Sequence, residues 1–214
     1  MVSAGSFGAW LTAARASLRG DGHGLDVPCG DCVGCCTSSL FIHVRPDESD
    51  TLAVIPVRLL VRAPGRPRGH RLLGFAEDGS CPMFAAHACS IYAQRPRTCR
   101  DYDCRMFAAA GIDAGDGKDM INQRVAAWVF SYESDADKRA HAAVRAAATF
   151  VRDEGASFPG GAAPTSPDQI AVLALKVYEV FLQPRVEAPA ATAVSIVEAS
   201  RAFDQKPAAA PSFR

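Results

Sequence analysis

The sequence predicts a mostly α-helical α+β protein, in which an irregular cysteine-rich module with short strands is followed by packed C-terminal helices. Three observations predict this. All eight cysteines fall between Cys29 and Cys104. The same stretch breaks its apolar runs with Pro, Gly and Arg, which leaves room only for short elements. From Met120 onward apolar residues recur at helical spacing between capping signals. The expected boundaries are 1–25 for an N-terminal helix and linker, 26–107 for the cysteine module, 108–204 for the helical region and 205–214 for a disordered tail.

Ser6 to Arg19 places Phe7, Trp10, Leu11, Ala14 and Leu18 on one helical face, and Gly20, Gly22 and Gly24 then form a linker. Ser39 to Arg45 alternates as a strand does. Asp47, Glu48 and Asp50 favour the first turn of a helix to about Ile55. Val57 to Arg71, with five Arg, two Pro and two Gly, reads as an exposed connection. His70 to Ala76 is expected as a second strand, closed by the turn Glu77-Asp78-Gly79. Residues 81–107 read as short helical turns.

In the second half, Ile121, Val125, Trp128 and Val129 share a helical face. Ser134 and Asp137 form a capping-box start for a helix to about Glu154, stopped by Gly155. After a linker at Phe158–Thr165, Ser166 is the expected N-cap, Pro167 the first-turn residue and Gln169 the box partner of a helix to about Leu182, before Pro184. A last helix spans about Thr192 to Phe203.

Charge and composition exclude several classes. The 23 basic and 23 acidic side chains cancel, whereas a nucleic-acid footprint needs a basic excess. The 49% apolar content is enough for a buried core and excludes general disorder. No apolar run reaches the roughly 18–20 residues of a membrane span, and Met1–Gly20 lacks a basic start and is interrupted by Arg15. The expectation is a soluble, cytoplasmic chain with neither nucleic acid nor membrane as partner. Protein partners and oligomeric state stay open.

The cysteines carry the chemistry. Cys29, Cys32, Cys35 and Cys36 form C-x-x-C-x-x-C-C, and Cys81, Cys89, Cys99 and Cys104 follow after a gap. In a reducing compartment metal ligation is the better default than a disulfide framework. Two cysteines separated by two residues can turn back on one ion, with both sulfurs at about 2.3 Å from zinc. The vicinal pair Cys35-Cys36 points its side chains to opposite sides in extended backbone, so these thiols suit different ions or different corners of a cluster. Eight thiolates suffice for two four-cysteine sites, whose negative charge would favour nearby cations such as Arg95, Arg97, Arg100 and Arg105. Iron with sulfide competes with zinc for such soft ligands. The ferredoxin run C-x-x-C-x-x-C-x-x-x-C-P is matched in its first three cysteines, but Cys36 follows at once and Thr37 takes the place of Pro. Spacing alone does not choose the metal.

Cys29 to Cys36, C-P-M-F from Cys81, C-S-I-Y-A-Q-R-P-R-T-C-R from Cys89 to Arg100 and the closing Cys104 together resemble the bacterial YkgJ-like cysteine-cluster (CxxCxxCC) family. That family is described as zinc- or iron-chelating and is sometimes labelled an iron-sulfur oxidoreductase. The resemblance covers about residues 26–107. It implies a metal-binding module with Cys29, Cys32, Cys35, Cys36, Cys81, Cys89, Cys99 and Cys104 as metal ligands and zinc or iron, including an iron-sulfur cluster, as cofactor. The alternative it implies is an iron-sulfur oxidoreductase or electron carrier. Flagellin lysine methylases carry a similar cluster, which adds a protein-modifying enzyme by analogy, although no glycine loop for a methyl donor is present.

Other candidates are weaker. His43 and His87 lie near the cysteines and are expected as neighbours, not ligands. Asp101 and Asp103 can act as a base or hydrogen-bond a ligand, or simply form a turn. Tyr92 and Phe84 are expected to pack over the site and exclude water. No hydrolase, P-loop or H-E-x-x-H motif occurs, so catalytic residues are unassigned.

Overall fold

The structure, a computed structural model, describes residues 1–20, 25, 27–183 and 188–205. Most of the expected glycine linker and nearly all of the expected tail lie outside these residues. The elements, in chain order, are β1 (Val2–Ser6), α1 (Phe7–Leu18), β2 (Ile42–Val44), α2 (Ser49–Val54), β3 (Leu60–Arg62) and β4 (Arg71–Leu73). There follow β5 (Phe84–Ala85), β6 (Ala88–Cys89), α3 (Arg97–Asp101), α4 (Arg105–Ala110), α5 (Asp119–Ala127), β7 (Trp128–Ser131), α6 (Asp135–Asp153), α7 (Pro167–Val177) and α8 (Pro189–Gln205). The fold class is α+β with helix dominant.

The chain forms two compact units. One gathers Met1–His23, Cys104–Gly115 and Val125–Arg214; the other gathers Gly24–Asp103 and Asp116–Arg124.

The first unit is helical. Helix α6 begins at a complete capping box: the Asp137 amide donates to Ser134 Oγ at 3.2 Å, and the Ser134 amide donates to the Asp137 carboxylate at 3.2 Å. Its inner face buries Val144, Ala147, Ala148 and Val151, against which α4 and α7 pack. Small residues on this face let the helix axes approach closely. The start of α1 joins an aromatic cluster in which Phe7 stacks on His141 at 4.3 Å and meets Phe130 edge-on at 5.2 Å.

Two expectations for this unit are corrected. The expected helix through Trp128 and Val129 stops at Ala127, and β7 pairs in parallel with β1, a strand the sequence analysis did not anticipate. The run Trp128-Val129-Phe130-Ser131 buries alternate residues, which is strand periodicity, and its β-branched and aromatic side chains suit a pleated surface. Ser166 makes no side-chain cap, so Gln169 is not a box partner. Pro167, already fixed near helical φ, starts α7 there.

The second unit is built on a three-stranded antiparallel sheet of order β2-β4-β3. Its inner face supplies Ile42 and Leu73 to a small core with Val44, Ile55 and Ile91. Strand β3 lies inside the stretch expected as an exposed connection. Leu60 and Val61 pair with Leu73 and Leu72, a strand signal that the surrounding arginines obscured. The expected turn after β4 is present, with Asp78 accepting from the Ser80 amide at 2.9 Å and its hydroxyl at 2.6 Å. The irregular stretch after Cys81 contains a β5-β6 hairpin as well as helical turns. Its two-residue turn, Ala86-His87, has φ of 48° and 61°, the left-handed geometry such tight hairpins require.

Candidate metal centre

Seven of the eight candidate cysteines belong to the sheet-bearing unit, and short hydrogen bonds shape the segments that present them. In the first segment the Cys32 amide donates to the Cys29 carbonyl at 3.0 Å, and the Cys36 amide to Val33 at 2.8 Å. Gly30 takes a φ of 53°, which relieves the turn between the first two cysteines of strain. A 3-10 turn at Gly34–Thr37 carries Cys35 and Cys36, closed by the Ser38 hydroxyl donating to the Gly34 carbonyl at 2.5 Å. The Cys81 amide then donates to the Cys36 carbonyl at 2.7 Å, which joins the two cysteine-bearing segments directly.

Cys81 opens a turn closed by the Phe84 amide donating to its carbonyl at 2.8 Å. Cys89 ends β6, directly opposite Phe84. Cys99 rides on α3, which is anchored to β2 where Thr98 Oγ1 donates to the His43 carbonyl at 2.7 Å. The Glu48 carboxylate adds a second tie by accepting from the amides of Arg45 and Arg97. Cys81, Cys89 and Cys99 all pack, half-buried, against the Ile42–Leu73 core.

The thiols act on one another. Burial pushes Cys36 up to about 11, with the neighbouring Cys81 and Cys89 thiols adding to it. Burial and the nearby Cys81, Cys36 and Cys89 push Cys99 up to about 12. Burial also raises Cys81, but backbone amides of Met83 and Phe84 face its sulfur and favour the thiolate. Cys36 and Cys99 are thus each linked electrostatically to Cys81 and Cys89, and Cys36 also feels Cys29 and Cys32. Cys29 is raised by burial and then by Cys32, against the opposing pull of Arg124 and Arg95. Among the described residues, no three His, Cys, Asp or Glu side chains converge closely enough to enclose an ion.

The eighth cysteine, Cys104, belongs to the helical unit and is buried there. The Trp128 indole N–H donates to its sulfur at 3.2 Å.

The expected arginines divide. Arg95 lies over the Tyr92 ring at 4.0 Å and within electrostatic reach of Cys29 and Cys99. Arg97 pairs with Asp101 at 3.2 Å, and Arg105 is buried in the helical unit, donating to the Ala4 carbonyl at 3.2 Å. Arg124, which the sequence analysis missed, donates to the Cys29 carbonyl and bears on that cysteine's thiol. Nothing in its spacing from the cysteines signalled it. Tyr92 corrects another expectation: it is 54% exposed, so it does not seal the site. His87 sits in the hairpin turn, and His43 stacks on His70 at 4.9 Å, with Nε2 and Nδ1 2.8 Å apart. Asp103 is buried and bears on Cys29.

Residues 28–123, somewhat less than half of the chain, match the model of the CxxCxxCC family, described as "Putative zinc- or iron-chelating domain". This is the family that the cysteine spacing resembles, and the match reaches past the last cysteine to take in most of α5. No curated protein and no solved structure matches the chain significantly. No helix among the described residues is long and apolar enough to cross a membrane.

Proposed function

We propose that the sheet-bearing unit chelates zinc or iron through its cysteine thiolates, and that Cys36, Cys81, Cys89 and Cys99 form one four-thiolate site. The observation that supports this most is that Cys36 and Cys99 both feel Cys81 and Cys89, with Cys81, Cys89 and Cys99 packed on one small core and Cys36 tied to Cys81 through the backbone. Soft sulfur donors select zinc or iron centres. The Met83 and Phe84 amides suit a thiolate ligand, because N–H groups facing sulfur stabilise its charge. Cys29, Cys32 and Cys35 supply three further thiols on the adjacent loop, with Arg124 and Arg95 offsetting the charge of Cys29. For Cys104 as a ligand, the family spacing is the only support.

The metal's contribution is structural in this reading. The sheet of this unit packs a small cluster of five buried apolar residues, and ligand binding free energy becomes folding free energy where a core is small. The test is elemental analysis for zinc and iron with acid-labile sulfide, on anaerobically purified protein, followed by chelator titration under limited proteolysis. Bound metal whose removal opens residues 24–103 to cleavage, while α6 and α7 resist, supports the reading. Absence of metal, or a proteolysis pattern unchanged by chelation, defeats it. Iron with matching sulfide would redirect it to an electron carrier.

A further inference from the structure

The helical unit contains a cavity that the metal centre does not use. It measures about 870 Å³, opens to solvent, and lies among α1, α6, α8 and the turn after α7. Ala140, Ala199 and Ala202 keep the facing helices short of filling the gap, while Gly8 lets α1 approach Asp137 so closely that a Cβ there would collide with its carboxylate.

Four cations line this cavity: Arg15, Arg19, Arg139 and Lys176. Three of them surround one ring, with Arg19 4.1 Å, Arg15 5.1 Å and Lys176 5.7 Å from the centre of Phe203. Like charges so gathered repel unless anions answer them. Glu179 answers Arg15 at 3.1 Å and Asp204 answers Lys176 at 2.7 Å. Asp137, the other carboxylate of the lining, is engaged by backbone amides of the capping box. Arg19 and Arg139 keep no carboxylate partner among the described residues, and the Arg19 Nε is buried with no hydrogen-bond acceptor. The rest of the wall is apolar, from Leu11, Val177, Leu182 and the Phe203 ring.

We infer that this cavity binds an organic oxyanion, with a carboxylate or phosphate held by Arg19 and Arg139 and an apolar body lying along Leu11, Val177 and Leu182. A planar guanidinium matches both oxyanions through paired N–H donors. The volume leaves room for an organic body beside the anionic group, since it falls in the range of sites that take drug-sized molecules. The inference does not rest on the metal.

Calorimetric titration of the full metal-loaded chain with octanoate, octyl phosphate, inorganic phosphate and octyl glucoside tests it. The expected result is saturable binding, one per chain, of octanoate or octyl phosphate, the tighter of the two identifying the oxyanion. Arg19→Gln and Arg139→Gln should each weaken it at least tenfold with metal content unchanged. Ala202→Trp, which fills the space from an exposed position and leaves the charges in place, should abolish it. Failure of both charged chains to bind, equal binding of octyl glucoside or inorganic phosphate, or binding that survives Ala202→Trp would overturn the inference.

Discussion

Gly34 stands against the backbone of Ile121, where a Cβ would lie 3.1 Å from the Ile121 amide nitrogen and 3.2 Å from the Met120 carbonyl carbon. The loop bearing Cys29 to Cys36 is thus seated on α5, a helix that begins fifteen residues after the last cysteine. Thr37 adds a contact from its hydroxyl to the Met120 sulfur at 3.3 Å.

Gly34→Ala should therefore loosen this loop. Overpacking of this kind costs about 1–3 kcal/mol. Thermal melts of the metal-loaded protein should show a lower midpoint, and dialysis should strip metal faster than from the parent. An unchanged melt would mean that α5 moves aside freely.

Metal uptake should steepen with pH. Because Cys36 and Cys99 are pushed up to about 11 and about 12 and Cys81 is raised as well, all three hold their protons at neutral pH in the metal-free chain. Binding must displace them, so acid opposes loading and base favours it, by about tenfold per displaced proton for each pH unit. Competition against a colorimetric chelator between pH 6.5 and 8 should give a slope of about three protons or more. A slope near zero would mean thiolates already formed.

Cys104 should be the last thiol to alkylate. It is 6% exposed beneath the Trp128 indole, whereas the other seven are only half-buried. Mass spectrometry of chelator-treated protein under a short iodoacetamide pulse should find Cys104 unmodified while the others react. Trp128→Ala should bring its rate up to theirs.

His141 gives the helical unit an acid limit. Burial, then the nearby Arg145, holds it below the ordinary value of 6.5 while it stacks on Phe7 and shares a 2.7 Å hydrogen bond with Tyr132. The unfolded chain therefore takes up this proton first as pH falls. Stability from this group is intact above about 6.5 and is lost as pH drops through the folded value. Melts at pH 7.5 and 5 should differ, and His141→Phe should reduce the difference.

What the sequence made legible follows from the range of the interaction. The capping box at Ser134 and Asp137 and the turn at Asp78 are closed by neighbours three residues apart or nearer, so their residues announce them. Strand β1 gives no such signal, because Val-Ser-Ala-Gly-Ser has little strand propensity and its partner lies far along the chain. The cysteine set was readable as chemistry, since spacing and residue type carry it. The approach of Cys36 to Cys81 was not, because it rests on a backbone bond between segments 45 residues apart. Arg124 shows the same limit: its role comes from the place of α5 against the loop, which no local pattern encodes.

The pairing of Val2 with Trp128 also sets an order of events during synthesis. At roughly 5–20 residues per second, β1 waits on the order of ten seconds in the growing chain before β7 exists to receive it. Every residue of the sheet-bearing unit, through Arg124, is made within that wait. The thiols can thus meet metal and settle their segments while the helical unit still lacks most of its partners. Only after β7 has cleared the ribosome can the first strand find its mate, and the whole sheet-bearing unit emerges before it.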